Sequence, residues 1–210
     1  MLCRTIVTCI FLPGIGLAEP ASDNPKFDVV DQTLIYDTDR AKASIDQEIV
    51  VEDLDVFLDL LREHDGITTV QLNSTGGSIW AGREIARVVM DFELDTRVEG
   101  ECSSSCTQIF LGGASRVLAR GAKLGFHQSS WSSDSIKTYY ENWREDEGWD
   151  TPYDFGSWLY KDTQSEVYKG LTFMISRGVD PEFAIETIRL RNTMWFPTRS
   201  ELRAAGVLVD

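Results

Sequence analysis

The chain has 210 residues, a formal net charge of −14 and 42% apolar residues. This apolar content is enough for one buried core, and the acidity excludes a surface that seeks phosphate backbones, so no nucleic-acid partner is expected. Of the four cysteines, Cys3 and Cys9 fall in the first 18 residues; Cys102 and Cys106 with the two histidines, His64 and His127, do not offer a zinc centre at credible spacing, and neither a metal nor a cofactor is expected.

In chain order, the first segment is "MLCRTIVTCIFLPGIGLA". Arg4 precedes an apolar run over residues 6–17, and the small residues Gly16 and Ala18 close it. This pattern predicts a secretory signal peptide over residues 1–18, because the run is shorter than the roughly 20 residues that span a bilayer. The expected location is periplasmic or secreted. Cleavage leaves Cys102 and Cys106 in an oxidising compartment. Four residues apart on a helical turn, their Cα atoms lie about 6 Å from each other, so a disulfide is expected. Residues 19–32 read as a loose leader, and residues 33–210 as one domain.

"TLIYD" and "AKASIDQEIV" predict strands. "EDLDVFLDLLREH" sets Leu54, Phe57, Leu58 and Leu61 at helical spacing, with His64 at the helix end. "ITTVQLN" reads as a buried strand that runs into "STGGS". "IWAGREIARVVMDF" is a helix, "TRVEG" a short strand, and "CTQIFLGG" a helix ending at its paired glycines. "SRVLA" and "AKLGFH" predict short strands. The remainder is helical apart from a strand-like "MWF", and it closes on "TRSELRAAG", where Thr198 and Glu201 form a capping box and Gly206 a C-cap. Alternating strands and helices predict an α/β fold with mainly parallel crossovers.

Three segments carry candidate chemistry. In "NSTGGS" (residues 73–78), paired glycines between a strand and a helix expose N–H groups suited to developing negative charge, although such a pair also serves as a plain tight turn. Ser103-Ser104-Ser105 opens a short apolar helix. A serine there is either presented to a cleft or simply caps the helix. "GFHQSS" ends a strand with His127, which is the base available to Ser105 unless it is a hydrogen-bonded core histidine.

In this order the segments resemble the proteolytic subunit of the Clp protease, ClpP. "LNSTGGSIWAG" is similar to its N-S-P-G-G-S-x-x-A-G motif, with Thr75 in place of the proline. "CSSSCTQIFLGG" resembles A-A-S-M-G-A-x-L-x-x-A-G, "GFHQSS" resembles x-x-H-Q-P, and "WFPTRSELRAAGVLVD" resembles F-L-S-A-x-E-A-x-x-Y-G-L-I-D. The resemblance spans residues 33–210 except for 130–175. It implies a ClpP/crotonase-like fold of stacked ββα units with a helical C-terminal part. It also implies an exported serine peptidase in which Ser105 is the nucleophile and His127 the base, with Gly76 or Gly77 and the N–H of Cys106 as the oxyanion hole.

The family's aspartate has no counterpart between Glu186 and Glu201. Asn192 is the expected substitute and Glu186 the fallback. Peptides or unfolded proteins are the expected substrates, with no ATPase partner. The aromatic and acidic segment at 131–170 is expected to form a helical lid or a homo-oligomer contact, since related proteins associate through this position. The alternative to a peptidase is a catalytically impaired scaffold of the cell envelope. An acyl-CoA enzyme of the crotonase type ranks last, because CoA esters are not expected outside the cytoplasm.

Overall fold

The computed structural model describes residues 24–42 and 47–209, so the signal segment lies outside the described residues. The sheet begins with β1 (Phe27–Val30) and β2 (Thr33–Asp37), an antiparallel hairpin followed by a short 3-10 turn at Thr38–Arg40. The polar stretch expected to be a loose leader is therefore partly a strand. Phe27 stacks on Tyr36 with ring centroids 4.5 Å apart. Lys26 reaches Asp53 in a buried ion pair at 3.1 Å, and Asp53 also accepts the Tyr36 hydroxyl at 2.6 Å. A buried charge is tolerated only with partners of this kind. The strand expected over residues 41–50 reduces, among the described residues, to an isolated bridge between Ile49 and Gly77.

A helix and two strand–helix steps follow: α1 (Asp53–Glu63), β3 (Thr69–Ser74), α2 (Ile79–Asp91), β4 (Asp95–Ser103) and α3 (Cys106–Gly112). The strand order is β1-β2-β3-β4, with every pairing after the first hairpin parallel. β5 (Arg116–Leu118) and β6 (Lys123–Gly125) lie end to end along β4, pairing with residues 96–98 and 101–103 respectively. The core forms between this sheet and the apolar faces of the helices. Leu34, Phe57, Val70, Leu72, Ile85, Ile109, Phe110 and Leu124 are fully enclosed, as alternation on the strands and three-to-four spacing on the helices require.

The C-terminal part is helical: α4 (Ser133–Trp143), α5 (Pro152–Ser176), α6 (Pro181–Thr187) and α7 (Arg199–Ala204). α5 starts on a Thr151–Asp154 capping box with Pro152 in its first turn, and α7 on the expected Thr198–Glu201 box. Gly206 follows α7 at φ +69. The "MWF" segment supplies one bridge, Phe126 to Trp195, rather than a strand. Arg177, just beyond α5, donates to the carbonyls of Leu111, Gly112 and Gly113 and so satisfies the open end of α3. None of the described helices is long and apolar enough to cross a membrane.

Candidate active site

The site lies where β4 passes into α3. Cys102 is near the end of the strand, Cys106 opens the helix, and the two are joined by a disulfide with Cα atoms 5.3 Å apart. The three serines between them have three different fates. Ser103 donates to Glu101 at 2.6 Å, and Glu101 is paired with Lys123 at 2.8 Å. Burial raises the Glu101 pKa, but hydrogen bonds from Lys123 and Ser103 outweigh that and hold the carboxyl below its ordinary range. Ser104 takes a left-handed backbone at φ +55, a conformation costing about 1–2 kcal/mol for a residue with a Cβ. Ser105 is 2% exposed, and its hydroxyl has no hydrogen-bond partner among the described residues.

The left-handed turn aims Ser104, not Ser105, at the histidine. His127 Nε2 lies 2.7 Å from Ser104 Oγ. The expectation that Ser105 faces His127 is corrected by one residue, because at φ −60 Ser105 already has helical geometry and packs inward against α2. A Cβ on Gly82 would stand 2.7 Å from the Ser105 carbonyl oxygen, so only glycine permits this approach. The register was available in the motif: counted from Cys102, the family's nucleophile is the third position, which is Ser104.

The other face of the turn is the Gly76–Gly77 segment. Gly76 has φ +110, and a Cβ there would meet Ser104 Cβ at 2.7 Å and the Ser105 nitrogen at 3.2 Å. Its own N–H is donated to Ser74 Oγ. Gly77 has φ +146 and abuts the Ile49 backbone, and its N–H has no partner among the described residues. Of the two glycines, Gly77 is thus the one with a donor to spare. Shifting the nucleophile to Ser104 moves the complementary N–H from Cys106 to Ser105. Asn73 fixes this turn, donating to Asp37 and Asp39 and accepting from the Glu101 N–H, which ties β2 and β4 to the end of β3.

His127 Nδ1 lies 2.9 Å from the Gln128 carbonyl oxygen. A carbonyl only accepts, so Nδ1 carries the proton and Nε2 presents its lone pair to the Ser104 hydroxyl. Neither expected third member occupies this position. Asn192 is exposed and lines the cleft beside His127 without a hydrogen bond to it. Glu186 is engaged by Arg189 and Arg191, and Arg191 also stacks on Trp195 at 4.6 Å. Sequence motifs could not reveal the acceptor, because a main-chain carbonyl leaves no residue type to read. The cleft has a volume of about 250 Å³, with Gln128 and Ser130 on one wall and Leu190, Asn192, Thr193 and Met194 on the other. No group of metal-ligating side chains occurs among the described residues.

No protein-family model matches the chain, and no curated protein matches it significantly. Solved structures do match. One is a point mutant of ClpP1 from Listeria monocytogenes, at a TM-score of 0.51 and 15% identity over 77% of this chain and 84% of that one. At that identity the likeness shows the fold alone. The fold is α/β and ClpP-like, as the motifs imply.

Proposed function

We propose that the chain is an exported serine peptidase in which Ser104 is the nucleophile and His127 the general base. The observation that carries this reading is the 2.7 Å contact between Ser104 Oγ and the unprotonated Nε2, made by a serine held in a left-handed turn. His127 takes the hydroxyl proton as Ser104 Oγ adds to the scissile carbonyl, and the N–H groups of Gly77 and Ser105 receive the developing oxyanion. His127 returns the proton to the leaving amine. Water then resolves the acyl-enzyme by the same steps. Short or unfolded peptides fit an open cleft that no ATPase feeds, in a periplasmic or secreted setting reached through residues 1–18.

A second reading, a catalytically impaired scaffold, is favoured by the Gln128 carbonyl. It holds the tautomer as a carboxylate would but brings no negative charge to an imidazolium. Without that charge the imidazolium formed in the transition state loses a stabilising partner. Intact-mass analysis after fluorophosphonate exposure separates the two readings. The peptidase gives a single adduct that is lost in Ser104→Ala and in His127→Ala. No adduct on folded, oxidised protein would establish the scaffold.

A further inference from the structure

The arm made by α4, α5 and their connection takes no part in the Ser104–His127 chemistry. Its interior is a second aromatic cluster centred on Tyr139, whose ring meets Trp131, Trp143, Trp149, Phe155 and Trp158 at centroid distances of 5.2 to 6.3 Å. Only Trp149 and Phe155 of these are buried. Trp131 and Trp143 are 48% and 47% exposed, and along α5 Tyr153 and Tyr160 are 87% and 71% exposed. Seven residues separate Tyr153 from Tyr160 and Tyr160 from the exposed Val167, so all three share one unpartnered helix face. Large rings left in water on one side are characteristic of contact surfaces.

Charge selects the occupant. Residues 131–166 hold nine acidic and three basic side chains, a net of −6. Glu141, Glu145 and Glu166 have basic partners, and Asp154 caps α5. Asp134, Asp146, Glu147, Asp150 and Asp162 have no ion-pair partner among the described residues. The field reaches the rings: burial first, then Glu147 and Asp162, raise the pKa of Tyr139. A second copy would set −6 against −6. Ammonium and guanidinium groups, in contrast, are attracted both to these carboxylates and to the faces of tryptophan and tyrosine. The arm also begins at the site, since Ser130 lines the cleft and Trp131 follows it.

We propose that the α4–α5 arm is a docking surface for unfolded polypeptide rich in lysine and arginine, held by exposed rings and unpaired carboxylates on the segment that leads out of the cleft lined by His127. Only the fate of the docked chain, cleavage, rests on the peptidase reading. The test titrates the full mature protein with a disordered lysine-rich peptide and with a glutamate-rich peptide of equal length, following tryptophan fluorescence. A second series uses the charge reversal Asp146→Lys/Glu147→Lys/Asp150→Lys, and a third uses Trp143→Ala/Tyr160→Ser.

The lysine-rich peptide is expected to saturate the signal, with affinity falling about tenfold or more between about 50 and 300 mM salt. Affinity should fall by a similar factor in the charge reversal and measurably in the ring variant, while fluorophosphonate labelling stays unchanged in both. The glutamate-rich peptide should not bind. Equal binding of the two peptides, or full binding by the charge reversal, overturns the proposal. So does a dimer in sedimentation that Tyr160→Ser dissolves while no peptide binds, which would assign the face to a second copy. Intact peptide docking with no labelling of Ser104 would instead sink the peptidase reading and leave the docking surface standing.

Discussion

Replacing Ser105 by alanine is the sharpest test of which serine does the work. The Ser105 hydroxyl is buried with no hydrogen-bond partner among the described residues. A buried hydroxyl in that condition costs about 1–3 kcal/mol. Removing one oxygen leaves a gap smaller than a methyl group, which takes back part of that gain. The net expectation is stabilisation of about 1 kcal/mol, a rise in Tm of about 2–4 °C for a domain of this size. Ser105→Ala should keep full fluorophosphonate reactivity, whereas Ser104→Ala should lose it. Thermal unfolding by circular dichroism and adduct formation by intact mass read both effects on the same samples. A Ser105→Ala protein that melts lower than wild type and fails to label, beside a Ser104→Ala protein that still labels, would refute both the register and the burial argument.

Three further outcomes follow from the same geometry. Replacing both Cys102 and Cys106 by alanine opens a loop of five residues, for which chain entropy gives a loss of about 2 kcal/mol; Tm should fall, and labelling should slow because the left-handed turn at Ser104 loses its closure. Asn192→Asp puts a carboxylate in the cleft that His127 lines; the labelling rate should rise, and the pH midpoint of labelling should move upward because a nearby anion favours the imidazolium. An unchanged midpoint would mean that residue 192 does not face the ring. Glu101, whose pKa is lowered in the fold, contributes stability that is complete above the ordinary carboxylate value of 4.5 and is lost as pH falls through the lowered one. Tm of the wild type should therefore drop more steeply below about pH 4.5 than Tm of Glu101→Gln, measured as a pH series.

The strand–helix alternation through α3 was legible because each helix carries an apolar face and each buried strand a short apolar run. The candidate site was legible in its parts: the paired glycines, the serine turn and His127 converge as their motifs imply. Local propensity does not choose among the three adjacent serines, since serine is not the type that announces the left-handed residue turning Ser104 toward the imidazole; only the motif register, counted from Cys102, singles it out. The strand β1 was hidden by its polar flanks. It is held by Phe27 on Tyr36 and by Lys26 in Asp53, partners that lie 9 and 27 residues away and that no local pattern connects.

Ser103 pairs with Gly125 in the parallel ladder of β4 and β6, and the Ser104 N–H is donated to the Gly125 carbonyl, two positions before His127. The spacing of the Ser104 hydroxyl and the His127 ring is thus written into sheet register. Segments inserted between residues 131 and 176 leave that register untouched. An ancestor could lengthen, trim or exchange its helical appendage while the Ser104 and His127 side chains kept their separation. The sheet acts as a chassis and the arm as interchangeable tooling.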